Sequence, residues 1–443
     1  MLKKTLLSTL LLILLLPVLA FGEEVNSFTL PNGLTVLHME KRTTQTIAIT
    51  LLTNASVLQE PQGKEGVASL TAKSIMTGTK HRNFKRIIED AANAGGAVDT
   101  SIGPDYSSIN VSIVRKEAAY GFDLLVDILV DPTFSEESIN RKKQEALAEL
   151  GQPKKGFGLA GEMLAKDIFG SSPYGRNLAG TPASLSAITR DDVLSFYKSY
   201  YTPKNAVLVV VGAISLEELK GIAGPYMAEW TGETAKQPVQ EKIATLSKKV
   251  SFIQRVQDKV TMDLGLPGVA RNSADYDAVT AMNFILGGLA PSSRLTKAFQ
   301  GETPFYPVYS KVISMKEAGY LEVTAEVNPG DVSKVFGKVI GQMEDMKKGQ
   351  VSDEELKTAQ EFLKQSLPLQ LGSHRDTAEF IGKMWLSGLG SDYLSRYDAL
   401  VDKMTKEDIL RVAKKYLDTE NYLLVLVGDK GKMDLSAIEG GKK

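Results

Sequence analysis

Cysteine is absent from this 443-residue chain, and histidine occurs only three times. Without thiols there is no disulfide, no thiolate metal site, no thiol nucleophile and no cysteine to carry a lipid. His38, His81 and His374 are scattered, and no two stand at the i, i+4 spacing that puts two metal-binding imidazoles on one helix face. Neither sign of charge is in excess, since 52 Lys and Arg face 53 Asp and Glu. A nucleic-acid partner would favour a concentrated basic face, so none is expected. Long apolar runs are scarce too. The run from Leu6 to Ala20 follows Lys3 and Lys4 and gives way to Phe21, Gly22, Glu23 and Glu24. That order predicts a secretory signal peptide over residues 1–22, cut after Gly22, and hence a periplasmic or otherwise exported chain. The rival expectation is an uncut segment attached to the inner membrane, although the run falls short of the ~20 residues that span a bilayer. Loss of Lys3 and Lys4 leaves 50 basic against 53 acidic residues, a net charge of −3.

What is present is a repeat. Residues 189–212, "TRDDVLSFYKSYYTPKNAVLVVVG", match residues 405–428, "TKEDILRVAKKYLDTENYLLVLVG", at an offset of 216. Each copy places a capping Thr three residues ahead of an acid, then an apolar-periodic helix, a polar turn and a β-branched strand. A second pair, "FSEESINRKKQEALAEL" at 134–150 and "VSDEELKTAQEFLKQSL" at 351–367, repeats at an offset of 217. Ser135 and Ser352 are N-cap candidates there, and Phe134 with Ile139 and Val351 with Leu356 stand at hydrophobic-staple positions. Two homologous units follow, 23–231 and 250–443, joined by a polar linker over 232–249 that contains Pro238. The length agrees, because single cores rarely grow past about 250–300 residues.

In the first unit "NSFTLPNGLTVLHME" predicts a hairpin around Pro31-Asn32-Gly33, with "TIAITLLT" as the next strand. A helix within "EGVASLTAKSIMTGTK" at 65–80, a short helix near 83–94, the strand "SSINVSIV" and a helix over 115–129 complete it. The second unit begins with the strands "VSFIQRV" and "TMDLGLPG" and a helix over 273–287. Strands of antiparallel type mixed with helices predict an α+β class.

The doubled unit, the "PNGLTVL" start, "SPYGRNLAGTPASLSAITRDDVLSFYKSYYTPKNAVLVVVG" at 172–212 and "LGGLAPSSRL" at 286–295 resemble the M16 family of zinc peptidases, the pitrilysin and mitochondrial processing peptidase group. The resemblance implies two homologous α+β domains forming half of a clamshell. Active members carry His-x-x-Glu-His within "GLAHFLEHMMFKGT": two zinc-binding histidines, a glutamate that activates water, and a distant glutamate as third ligand. Here the run is "GVASLTAKSIMTGT". Ser69 and Lys73 stand at the histidine positions, Ala72 at the general base, and Glu149, 76 residues after Lys73, at the third ligand. Ser69 is a poor zinc ligand, Ala72 accepts no proton and Lys73 brings positive charge to the place of a dication. No catalytic residue, no cofactor and no stoichiometric metal are expected in this chain. Glu149 is read either as a surviving ligand paired with Lys73 or as an ordinary helix acid beside Glu145.

Two-chain members of the family resemble a division of labour, one chain bringing zinc and the other an Arg/Tyr pair that holds the substrate carbonyl. The matching run is "SSRLTKAFQGETPFYPVYS" at 292–310, with Gln300 at the arginine and Tyr306 at the tyrosine; the alternative for Tyr306 is aromatic packing. Arg294 is read as structural. "GGAVDTSIGPDYSSINVSI" at 95–113 resembles the family's peptide-pairing edge strand, with Asp99 and Thr100 as candidate contacts, or is a plain solvated strand. The resemblance thus implies a non-catalytic subunit pairing with a zinc-bearing M16 chain in an exported peptidase that takes unfolded peptides. A peptide-binding or assembly protein without a catalytic partner is the alternative, and a homodimer would enclose a chamber with no zinc. Hydrolysis by this chain alone is the third and least expected reading.

Overall fold

The computed structural model describes residues 24–238, 246–288 and 292–439. The segment read as a signal peptide, residues 239–245 of the linker and the middle of "LGGLAPSSRL" lie outside the described residues.

The first unit contains strands β1 (Asn26–Thr29), β2 (Thr35–Glu40), β3 (Thr46–Thr53), β4 (Ala97–Ile102), β5 (Ser107–Val114) and β6 (Ala206–Gly212). Its helices are α1 (Val67–Ser74), α2 (Phe84–Asn93), α3 (Ala118–Val130), α4 (Glu136–Leu150), α5 (Gly156–Phe169), α6 (Pro182–Ala187), α7 (Arg190–Tyr200) and α8 (Leu216–Met227). The second unit contains β7 (Lys249–Gln254), β8 (Val260–Pro267), β9 (Val308–Ser314), β10 (Gly319–Val327) and β11 (Leu423–Gly428). Its helices are α9 (Tyr276–Asn283), α10 (Arg294–Phe299), α11 (Val332–Lys347), α12 (Asp353–Gln370), α13 (His374–Leu386), α14 (Tyr393–Asp402), α15 (Lys406–Tyr416) and α16 (Ser436–Glu439).

Local chemistry explains the repeated elements. Thr189 and Thr405 cap α7 and α15 in reciprocal boxes with Asp192 and Asp408, and Ser352 does the same for α12 with Glu355. Ser135 caps α4 by accepting from the amide of Ser138. The staple pairs are set against their cores, with Phe134, Ile139 and Val351 buried and Leu356 packed on the second core. The helix expected over 273–287 is α9 continued by a π-helical turn, Phe284–Gly288.

The two sheets share one topology. Strand order is β1-β2-β6-β3-β5-β4 in the first and β7-β11-β8-β10-β9 in the second. Each has one parallel pair, β2 with β6 and β7 with β11, and is otherwise antiparallel. β3 follows the hairpin in the chain but is not its neighbour in the sheet, because β6 enters between β2 and β3.

One face of each sheet packs on its own unit's helices. The other face takes a helix from the opposite unit. Ala378 and Ile381 of α13 sit on Leu37, Ala48, Leu52 and Val209, while Ala160 and Leu164 of α5 sit on Val425, Val427 and Tyr320. Glycine permits both approaches: a Cβ on Gly382 would lie 2.4 Å from Leu52 Cδ1, and one on Gly265 2.6 Å from Leu164 Cδ1. The sequence repeat therefore marks two homologous units, but not two separately closed cores. The described start of the linker also rests on the first unit, where Gln237 hydrogen-bonds Gln59 and Asn205.

Candidate functional site

The helix at the centre of the site begins with glycine and a buried acid. Gly66 adopts φ 95°, and a Cβ there would stand 2.7 Å from the Ala179 carbonyl oxygen. Oε1 of Glu60 accepts from the amides of Gly66 at 2.9 Å and Ala68 at 3.0 Å, which satisfies free donors at the positive end of α1. Burial nevertheless pushes the Glu60 carboxyl up to about 8, against the pull of those amides. Val67, Leu70 and Ile75 fill the first core.

Ser69, Ala72 and Lys73, at i, i+3 and i+4, share the remaining face. Ser69 and Ala72 are buried and Lys73 reaches solvent. α4 packs beside α1 and delivers Glu149 from its last turn, so Lys73 Nζ stands 3.5 Å from Glu149 Oε2. Of the two readings of Glu149, the contact with Lys73 is present, but the two side chains are 42% and 69% exposed, so water screens their attraction and Glu149 is also a solvated helix acid. The four motif positions line a cavity of about 450 Å³ together with Thr100 and Asn177.

A catalytic zinc needs three protein donors and an open position. This face offers a hydroxyl, a methyl, an ammonium and one carboxylate, and the ammonium lies against the carboxylate. The residues do not fit zinc.

β4 is one of the two edge strands of the first sheet, β1 being the other, and among the described residues its outer side pairs with no strand. Thr100 lines the motif cavity and also a second one of about 440 Å³, which shares Lys73 and has Met76, Phe84, Ile88 and Val98 as apolar wall. Phe84 and Ile88 are exposed. Asp99 is different. Its Oδ1 accepts from Arg375 at 2.7 Å and from Asn110 at 3.2 Å, and Arg375 NH1 holds the other oxygen. The carboxylate read as a peptide contact is thus engaged by α13 of the other unit. Nothing in the sequence signals a partner 276 residues away.

In the second unit the packing alternative holds for Tyr306. Tyr306 is 2% exposed, and its hydroxyl donates to Asp331 Oδ2 at 2.6 Å. Burial and that carboxylate push its pKa up to about 12. It packs in the second core and cannot present a hydroxyl to a substrate carbonyl. Gln300 is exposed just after α10 and lines neither cavity at α1. Arg294 binds Glu355 through two nitrogens, at 2.7 and 2.8 Å, the structural role expected of it. The histidines are equally dispersed: His38 is buried against the Ile214 carbonyl, His374 packs beside Thr43 and Thr46, and His81 lies beyond the exit of α1.

Comparison with known proteins agrees with this architecture. The family model for insulinase, peptidase family M16, matches residues 35–182, and that for the peptidase M16 inactive domain matches residues 187–363. An uncharacterized zinc protease of Bacillus subtilis is 22% identical, covering 92% of this chain and 99% of that protein. The mitochondrial-processing peptidase subunit beta of Saccharomyces cerevisiae is also 22% identical, with 90% of each chain covered. Among solved structures, the peptidase M16 inactive domain from Pseudomonas fluorescens superposes with a TM-score of 0.84 at 22% identity, covering 91% of this chain and 98% of that one. A protease from Helicobacter pylori gives 0.83 at 19% identity, covering 91% and 99%. The model described as inactive matches from residue 187 onward, whereas Ser69, Ala72 and Lys73 lie within 35–182, matched by the insulinase model, so the missing chemistry is read from those three residues. The face of α1 that carries Ser69, Ala72 and Lys73 offers no zinc donor set, and the chain belongs to the M16 family of zinc peptidases.

Proposed function

We propose that this protein is the non-catalytic subunit of an exported two-chain M16 peptidase, in which a separate M16 chain brings the zinc centre and this chain contributes chamber wall and peptide contacts. The observation that carries the reading is the Lys73 ammonium 3.5 Å from Glu149 on a helix that keeps the family's shape. The scaffold is retained while the donors are gone. Relatives that cover 90% and 94% of this chain include proteins named as subunits, which supports an assembly of more than one chain. The free edge of β4 supports peptide contact, since strand addition uses main-chain groups and needs no catalytic side chain. Thr100 and the apolar wall beside it stand along that edge, so an extended segment there has both backbone partners and a place for a side chain.

Coexpression with an M16 chain that carries an intact His-x-x-Glu-His tests the reading. A stable complex at micromolar concentration is expected. Failure to form one, together with peptide capture by this chain alone, would favour a peptide-binding or assembly protein without a catalytic partner.

A further inference from the structure

Beyond the exit of α1, and outside the motif cavity, lies a hollow of about 600 Å³ lined by five carboxylates, two guanidiniums and His81. Arg82 organises its floor, donating to Asp90 at 3.0 Å, Asp123 at 2.6 Å and Asp127 at 2.7 Å. Arg86 holds the other oxygen of Asp90 at 2.7 Å, and Lys80 pairs with Oδ1 of Asp131. Among the acids and the Lys and Arg side chains, these three cations against five acids leave two negative charges uncompensated.

Two groups in the hollow are left with ligand atoms to spare. Asp127 is 7% exposed; its Oδ2 accepts from Arg82 and Thr79, while its Oδ1 has no hydrogen-bond partner among the described residues. Leaving a buried carboxylate oxygen unpaired is costly unless something positive meets it. Asp131 points Oδ2 at His81 Nε2, 3.5 Å away. Donor atoms of His81, Asp127 and Asp131 all fall within 4.8 Å of one another. Metal bonds of about 2.0–2.2 Å in tetrahedral array separate neighbouring donors by about 3.3–3.6 Å, the spacing already present between His81 and Asp131. The imidazole nitrogen selects against Mg²⁺ and Ca²⁺, which prefer oxygen donors in larger number.

We propose that His81, Asp127 and Asp131 form a binding site for one divalent transition-metal cation of the zinc class. The ion joins the segment leaving α1 to the C-terminal end of α3, adds two positive charges where two negative ones are in surplus, and meets the buried Asp127. Its role is structural, because it stands outside the cavity that holds Lys73 and Glu149. The sequence expectation of a metal-free chain then applies to the motif helix alone. The three ligands escaped sequence reading because they come from a loop and a helix end nearly fifty residues apart, with no periodic spacing to announce them.

Metal-stripped full-length protein titrated with Zn²⁺ by calorimetry at about pH 7.5, where a free imidazole is neutral, tests the site. One equivalent should bind and raise the melting temperature. His81→Ala and Asp131→Asn should each weaken binding by more than about tenfold, the smallest loss typical of groups that only support a ligand. Both residues lie at the surface end of the site, so the metal-free variants should melt close to the parent. The double variant Lys73→Ala/Glu149→Gln should bind as the parent does. Absence of a saturable equivalent, retention of affinity in His81→Ala, loss of it in the Lys73/Glu149 variant, or equal affinity for Mg²⁺ would each overturn the assignment.

Discussion

Arg375 on α13 reaches across from the second unit and grips both oxygens of Asp99 on β4, the edge strand of the first. A side chain read as a peptide contact is in this way a tie between the units, and it steadies the strand beside the motif cavity. The pair is partly exposed, at 37% and 40%, yet its two-nitrogen geometry is the strong form of such a contact. A double-mutant cycle of Arg375→Ala and Asp99→Ala should give a coupling of about 0.5–1 kcal/mol. Hydrogen exchange in β4 should quicken in either variant while β3 and β6 hold. Unchanged exchange in β4 would show that the tie does not steady the edge.

Lys73 and Glu149 are expected to behave otherwise. They stand at the positions that the family resemblance assigns to zinc ligands, but 42% and 69% exposure leaves their attraction screened. Lys73→Ala and Glu149→Gln should each change unfolding stability by less than about 1 kcal/mol in urea titrations. A larger loss would mean that the pair has become a structural replacement for zinc.

Glu60 links the start of α1 to pH. Burial raises its carboxyl from 4.5 to about 8, so the folded state binds a proton that the unfolded state releases earlier. The stabilisation is complete below about pH 4.5 and is lost as pH rises through about 8. Glu60→Gln retains an acceptor for the amides of Gly66 and Ala68 and should flatten the fall in stability across that window. Parallel pH profiles for parent and variant would contradict the assignment.

The exchange of helices makes the two units one cooperative body. Gly382→Ala would drive a methyl to 2.4 Å from Leu52 Cδ1, and the crowding should cost about 1–3 kcal/mol. A fragment ending at residue 238 lacks α13 and leaves the Leu37, Leu52 and Val209 face bare, so it should not unfold as a cooperative domain. A sharp calorimetric transition in that fragment would refute the interlock.

The features legible in the sequence are those set by neighbours in the chain. Thr189 with Asp192, Ser352 with Glu355 and the Pro31-Asn32-Gly33 turn each need only a few residues to specify their geometry. The repeat then carried the α+β class, and the motif alignment carried Ser69, Ala72, Lys73 and Glu149 into one cavity. What stayed hidden depends on distant partners. A β-branched strand such as β6 is apolar on both faces, so its pattern does not say that it enters between β2 and β3 or that α13 will cover it. Tyr306 was left between two readings for a related reason: an aligned tyrosine does not reveal whether its hydroxyl meets solvent or Asp331. Arg375 gave no local sign of Asp99 at all.

Turnover separates a subunit of a two-chain peptidase from a peptidase in its own right. The purified chain, its partner and the two together should be assayed on an unfolded peptide with zinc supplied. Expected is no hydrolysis by this chain alone and faster hydrolysis by the pair than by the partner alone. Chelator-sensitive turnover by this chain without a partner, abolished by Glu149→Ala, would contradict the account.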